Sequence, residues 1–182
     1  MKKIAALISV LLVCCSCAKK DPAASVAQAY SGDITCTFSV QAFSEPACDY
    51  TLAFSRVQGT DSVEVLEPKS VAGIKAAGEE GSAGISFDGK YLEAMLPYYW
   101  GLSPVDCMSA LFDCMASGPP LWYNTQGDEL VCEYRTSSDN ADIRRRVTLD
   151  KTTLALKSAE VELDGAVVMT VEVTSLQVFG GE

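Results

Sequence analysis

The chain predicts a mainly β (α+β) fold, one strongly curved antiparallel sheet with two short helices against one side. Three observations carry this. Apolar and polar residues alternate in run after run, which is the period of a half-buried strand. Asp-Gly dipeptides at Asp88-Gly89 and Asp164-Gly165 sit between apolar runs, where tight hairpins need them. Only two stretches show helical spacing, and each is opened by a cap-and-proline pair, Asp21-Pro22 and Ser103-Pro104. The balance is about ten strands against two helices, with hairpin spacing throughout and no internal repeat.

The first helix follows Asp21-Pro22, places Val26, Ala29 and Tyr30 on one side and ends at Ser31-Gly32. From Asp33 the period becomes two: Ile34, Cys36, Phe38 and Val40 alternate with polar residues. After Ser44-Glu45-Pro46 the series Cys48, Tyr50, Leu52 and Phe54 does the same. Gln58-Gly59 turns into Ser62 to Leu66, and Pro68 ends that strand. Val71 and Ile74 suggest a further short strand before a polar loop from Gly78 to Gly84. Ile85 and Phe87 then lead into the Asp88-Gly89 hairpin, and Tyr91 to Leu96 returns.

The second helix runs to about Ala116, with Ser103 as cap and Asp106 as an acid in the first turn. Cys107, Met108, Leu111, Cys114 and Met115 form its apolar stripe, and Gly118-Pro119-Pro120 stops it. The rest is β again. Leu121 to Tyr123 is short and aromatic; Leu130, Cys132 and Tyr134 alternate, as do Ile143, Val147 and Leu149. Leu154 and Leu156 continue, but the apolar parity then flips to Ala159, Val161 and Leu163, which a bulge near Lys157-Ser158 explains. Val167 to Val173 closes the last long strand.

Ahead of this domain, Met1-Lys2-Lys3 is a basic start and Ile4 to Val13 a short apolar core, about half the ~20 residues of a spanning helix. Cysteines at 14, 15 and 17 close it. Small residues before Cys17 and charges directly after it suit lipoprotein processing. The chain thus divides into a lipoprotein signal peptide (1–16), a lipidated N-terminus with a short tether (17–20) and the domain (21–182). Cys15 is the rival attachment point, and an ordinary secretory peptide is the rival to lipidation. Two acyl chains on Cys17 suffice for stable anchoring.

Charge and cysteine usage narrow the function. The chain holds 24 acidic against 14 basic residues, a net −10, and the signal peptide removes two lysines and no acid. That opposes nonspecific nucleic-acid binding, so no nucleic-acid partner is expected, and membrane attachment falls to the acyl chains. Cys36, Cys48, Cys107, Cys114 and Cys132 remain in the domain, an odd number. They read as small buried hydrophobes, with Cys36–Cys48 as the best disulfide candidate. There is no histidine, so no Ser-His-Asp or Cys-His pair and no histidine metal site can form. The one S-x-x-K match, Ser16 to Lys19, straddles the processing site, and Gly81-Ser82-Ala83-Gly84 lacks the first glycine of a nucleophile elbow. No enzyme, cofactor or metal is expected.

The order of elements resembles the LolA/LolB-like superfamily of lipoprotein-carrier folds across nearly the whole mature chain. The segments that carry the resemblance are YTLAFSR, LEPKSV, FDGKYLEAMLP, the helix SPVDCMSALFDCMAS and the closing VTLDKTTLALKSAEVELDGAVVMTVEVTSLQV. It implies an incomplete barrel, a half-barrel with its two helices on the concave side, enclosing an apolar cavity in which carriers hold acyl chains. Receptors of the LolB kind are lipid-anchored, as here, whereas LolA-like carriers are not. The family's usual Arg-Pro pairing is absent, since the proline lies well after Arg56. Germination lipoproteins of Gram-positive spore formers share the resemblance and look like partners of cell-wall hydrolases.

Six residues are candidates for ligand binding. Arg56 shares parity with Tyr50, Leu52 and Phe54, and Arg145 with Ile143, Val147 and Leu149. On a concave face each could hold an anionic or ester oxygen, the alternative being a strand end where the side chain reaches out to water. Arg144 and Arg146 are expected as an exposed rung against nearby acids. Tyr98, Tyr99, Trp100 and Trp122 suit an apolar mouth or a protein-binding patch, the alternative being a cap on the core under the second helix. Two functions follow: a lipid-anchored, non-catalytic protein on the outer face of a bacterial cell membrane that binds an acyl chain, or a module that positions or activates an envelope enzyme.

Overall fold

The computed structural model describes residues 22–44, 47–79, 82–94, 100–138 and 141–179. The signal peptide, Cys17, the tether, Asp21, Tyr98 and Tyr99 lie outside the described residues.

Among the described residues, eleven strands form one antiparallel sheet that does not close, and two short helices accompany it. In chain order they are α1 (Pro22–Ala29), β1 (Asp33–Ala42), β2 (Cys48–Val57), β3 (Thr60–Glu67), β4 (Lys75–Glu79), β5 (Ser82–Phe87) and β6 (Lys90–Ala94). Then follow α2 (Cys107–Ser117), β7 (Trp122–Gln126), β8 (Glu129–Ser138), β9 (Ala141–Asp150), β10 (Leu156–Leu163) and β11 (Ala166–Phe179). The sheet order is β6-β5-β4-β3-β2-β1-β11-β10-β9-β8-β7. Every neighbour is a hairpin partner except β1 with β11, which joins the two halves through the chain ends. The two edge strands, β6 and β7, are consecutive in sequence. The segment that links them carries α2 from one edge to the other over the face of the sheet.

Strand parity decides what that face is made of. β1 buries Ile34, Cys36, Phe38 and Val40, and β9 buries Ile143, Arg145, Val147 and Leu149. Against them α2 buries Cys107, Met108, Leu111, Phe112 and Met115. Phe112 is the pivot: its ring stacks on Tyr30, just past the end of α1, at 5.6 Å and meets Phe54 of β2 at 5.1 Å. Such pairs add to the area they bury. Among the described residues, the buried apolar side chains from Val26 to Val171 belong to one cluster, apart from Ala76, Ala110 and Val131. The fold class is the half-barrel with helices on the concave side.

The hairpin signals hold in detail. Asp88 and Gly89, and likewise Asp164 and Gly165, all have positive φ, the type I′ geometry that matches strand twist. The parity flip in β10 is also present: the β9 register slips between Leu156 and Ser158, leaving Lys157 as the extra residue.

Four expectations are corrected. Val71 to Gly73 is a turn rather than a strand; Gly73 N–H bonds the Val65 carbonyl at 2.8 Å, folding the chain back on β3. The supposed polar loop from Gly78 to Gly84 is instead the hairpin of β4 and β5, whose small and polar residues carry little apolar alternation. Leu154 has φ of 59° and belongs to the β9–β10 turn, where its N–H bonds the Asp150 carbonyl. Regular helix begins at Cys107 rather than Pro104, after a turn in which Asp106 reaches back to Ser103, accepting from its backbone N–H at 2.8 Å and its hydroxyl at 2.9 Å. That is one half of a capping box.

The Cys36–Cys48 bridge is overturned as well, and all five domain cysteines are thiols. In the β1–β2 register Cys36 lies opposite Phe54, while Cys48 lies opposite Ala42. Six residues of strand separate them, about 20 Å at ~3.4 Å per residue, against the ~5.5 Å between Cα atoms that a disulfide spans.

Candidate functional site

The two candidate arginines end up on either side of α2. Arg56, on β2, is held by a bidentate pair with Asp61 of β3, Nε to Oδ1 at 2.6 Å and Nη2 to Oδ2 at 2.7 Å. Its Nη2 also reaches Asp113 of α2 at 2.7 Å. The Asp61 hydrogen bond is the main reason its pKa rises further above the ordinary arginine value. Arg56 therefore has its carboxylates within the protein, and it clamps the helix to the sheet.

Arg145 is different. Its side chain is 1% exposed, on β9, so it does not reach out to water. The Nη2 donates to the Trp100 carbonyl, and Nη1 donates to Thr136 Oγ1 at 3.1 Å and approaches Cys114 Sγ at 3.7 Å. Nε is buried without a hydrogen bond. Three neutral groups surround a buried cation, and no carboxylate touches it among the described residues. The acid of α2, Asp113, gives its carboxylate to Arg56. Asp113 accepts a hydrogen bond from Arg56, and its neighbour Cys114 lies against Arg145.

The approach of the Trp100 carbonyl depends on the next residue. Gly101 has φ of +61°, and a Cβ there would lie 2.5 Å from Ala110 Cβ and 3.2 Å from Arg145 Nη2. Only glycine lets this segment lie flat on both the helix and the guanidinium.

Of the four candidate aromatics, Trp100 and Trp122 are among the described residues. Trp100 is 38% exposed beside the N-terminal turn of α2. Trp122 lies on edge strand β7, opposite Glu133, whose parity is that of the outer face. There it borders a groove of about 510 Å³ with Glu129, Glu133, Arg146 and Glu160. Arg146 faces Glu133 at 3.7 Å and Glu160 at 3.4 Å, and Arg144 lies 3.6 Å from Asp142, the exposed rung expected for both. Leu121, Trp122 and Tyr123 together make β7 an edge with exposed apolar side chains.

Sequence reasoning missed the acids that hold Arg56. Asp61 carried a usable signal, since it shares parity with the buried Val63 and Val65 of β3. Asp113 carried none, being one acid on a helix. Three of the five cysteines are held as thiols: burial pushes Cys36 up to about 12 and Cys132 to about 11, and raises Cys107 further.

The fold is a non-closed half-barrel whose concave face is filled by the protein's own side chains. Searches of known proteins bear on this in fold alone. No protein-family model matches the chain, and neither does any curated protein. Among solved structures it is similar to an uncharacterized conserved protein from Thermus thermophilus, at 9% identity and a TM-score of 0.53, covering 88% of this chain and 87% of that one. It is similar also to a chain in the complex of the CwlD amidase from Clostridioides difficile with the GerS lipoprotein, at 13% identity and a TM-score of 0.51, over 81% and 87% of the two chains. A LolA superfamily protein from Nitrosomonas europaea aligns at 9% identity and a TM-score of 0.42, over 87% and 94%. The fold is LolA/LolB-like.

Proposed function

We propose that this protein is a lipid-anchored, non-catalytic interaction module of the bacterial cell envelope, tethered through Cys17 and serving to position or activate an envelope enzyme. The observation that carries this reading is the filled concave side. Tyr30, Phe38, Leu52, Met108, Leu111, Phe112, Met115 and Met169 are all at most 1% exposed and lie in one cluster between helices and sheet. A carrier needs that space for an acyl chain; here the protein's own side chains occupy it. The likeness in fold to a chain of an amidase–lipoprotein complex supports the same reading. The exposed apolar edge at Leu121, Trp122 and Tyr123 supplies aromatic side chains of the kind that anchor protein interfaces. The short tether keeps the domain close to the bilayer, which suits a stationary partner.

The second reading, an acyl-chain ligand in the half-barrel, rests on the carrier-type fold. Native mass spectrometry of the non-lipidated domain separates the two. The interaction reading expects a ligand-free mass and a stable complex with a purified peptidoglycan amidase from the same envelope. Stoichiometric co-purified lipid, with no such complex, would establish the carrier instead. Anchoring is tested separately by the mass of the N-terminal peptide: a diacylglyceryl adduct on Cys17, lost in Cys17→Ser, is expected. An unmodified N-terminus at another residue would remove the anchor from the proposal.

A further inference from the structure

Strand β7 covers β8 only as far as Glu133, opposite Trp122. Beyond it, the stretch from Tyr134 to Ser137 forms one wall of a pocket of about 500 Å³ at the sheet edge, and the end of α2 with Pro119 and Leu121 forms the other. This pocket opens at the rim of the concave core, to which Tyr134 belongs, and shares Leu121 with the docking edge above.

Two unmet needs lie at or behind its wall: Tyr134 lines it, and Arg145, which does not, sits behind Thr136 and Cys114, which do. Tyr134 lines the pocket, is 6% exposed, and its hydroxyl makes no hydrogen bond. In register it lies directly opposite Arg145, the buried guanidinium with no carboxylate in contact. The two groups that Arg145 Nη1 touches, Thr136 Oγ1 and Cys114 Sγ, both line the same pocket. Burial holds the Tyr134 phenol above its ordinary pKa, so it remains a donor. A buried hydroxyl without a partner is costly, and a buried cation without an anion more so.

The lining has a matching sign. In a chain with 24 acids, no acid lines this pocket among the described residues. Its one charged wall residue is Arg135, which is itself paired with Asp142 at 2.7 Å and 3.1 Å. The remainder is hydroxyl and apolar surface. The volume falls in the ~300–1,000 Å³ range of organic-ligand sites, far larger than a bare oxyanion needs.

We propose that this pocket binds a small amphiphilic organic anion, its carboxylate or phosphate accepting from the Tyr134 hydroxyl over the Arg145 guanidinium and its apolar part lying against Pro119 and Leu121. A lipid headgroup and a soluble organic acid share this chemistry.

Isothermal titration calorimetry on the domain from residue 18 onward tests it, with octanoate, hexyl phosphate, dihexanoyl phosphatidic acid and neutral octanol as probes. Saturable one-to-one binding of the anions and none of octanol is expected. Tyr134→Phe removes a hydroxyl that has no partner, so the fold keeps its melting temperature while affinity falls roughly tenfold, the loss of one hydrogen bond to a charged group. Leu121→Asp, at a 66% exposed position, places an acid at the mouth without threatening the core and should abolish binding. Tighter binding of the two-chain lipid than of the single-chain anions identifies a headgroup; equal or weaker binding identifies a soluble acid. Absence of saturable binding by every anion at millimolar concentration, or unchanged affinity in Tyr134→Phe, overturns the proposal.

Discussion

The Arg56 guanidinium lies 2.7 Å from the Asp113 carboxylate, so a side chain of strand β2 holds the helix that crosses the sheet. The same guanidinium lies 2.6 Å from Asp61, and the two contacts differ in kind. Asp61 is 6% exposed at the side chain, whereas Asp113 is 62% exposed. Removing Arg56 leaves Asp61 as an uncompensated buried charge. Arg56→Ala should therefore cost on the order of 3 kcal/mol. Asp113→Asn should cost less than about 1 kcal/mol, because its half of the arrangement is solvated. Urea denaturation of both variants measures the difference. Equal losses would mean that the helix clamp, and not the buried pair, carries the stability.

Tyr30 ties the first helix to a turn more than a hundred residues on. Its hydroxyl donates to the Leu154 carbonyl at 2.8 Å and accepts from the Leu156 N–H at 2.8 Å. One side chain after the N-terminal helix thus satisfies both backbone groups where the β9–β10 turn enters strand β10. Tyr30→Phe keeps the stacking on Phe112 but orphans a buried N–H and a carbonyl. A loss of roughly 1–3 kcal/mol is expected. Amide exchange at Leu156 should accelerate more than at Val161, which lies further along the same strand; uniform acceleration would show global destabilisation instead.

How far all this was legible in the residues depends on which force shapes each element. Alternation exposed β1, β2, β9 and β11 because each buries one face against the helices, and the Asp-Gly pairs fixed the turns locally. The β4–β5 hairpin stayed hidden because Ala76, Ala77, Gly78, Ala83 and Gly84 offer almost no period; its strands are defined by pairing with β3 and β6. Parity did put Arg56 and Arg145 on the helix-facing side. It could not tell that one also meets Asp113 and the other the Trp100 carbonyl, since those partners come from a helix and a loop distant in sequence. The Cys36–Cys48 pairing failed for a related reason: neighbouring strands were read correctly, but the antiparallel register places the two residues at opposite regions of the hairpin.

Gly101 is the position where the segment before α2 is least replaceable. Gly101→Ala forces an L residue to φ of +61° and drives a Cβ to 2.5 Å from Ala110 Cβ. The backbone term alone is worth about 1–3 kcal/mol. Because the same Cβ crowds Arg145, the Trp100 indole should also change environment. Its fluorescence maximum in the native variant reports this; an unshifted spectrum with wild-type stability would show that the segment can lift off the helix at little cost.

The five domain thiols should divide by burial. Cys36, Cys107 and Cys132 are at most 5% exposed, and burial pushes all three above the ordinary thiol range, Cys36 to about 12. They are neither reachable nor ionised at pH 8. Only the half-buried Cys48 and Cys114 should react with a thiol reagent in the native domain. In denaturant all five should react, and peptide mapping assigns them. Rapid native labelling of Cys107 would mean that α2 leaves the sheet on the timescale of the reaction.

Two aspartates should respond to pH in opposite directions. Asp106 is 7% exposed, and burial raises its pKa despite the hydrogen bonds from Ser103. A raised carboxyl holds its proton more tightly folded than unfolded. Its contribution is therefore complete below the ordinary value of ~3.9 and is lost as pH rises through the folded value. Asp150 is the reverse case. Its Oδ1 accepts from Thr153 N–H at 2.9 Å, Thr152 N–H at 3.0 Å and the Thr153 hydroxyl at 3.0 Å, and these donors lower its pKa. Its contribution is present above the ordinary value and lost as pH falls through the lowered one. Asparagine at 106 still offers an acceptor to Ser103, so Asp106→Asn should gain stability relative to wild type between pH 3.5 and 7. Asp150→Asn should lose stability relative to wild type over the same interval. Urea midpoints at several pH values give both slopes. Parallel slopes for the two variants would show that net charge, rather than the local environment of each carboxylate, governs the response.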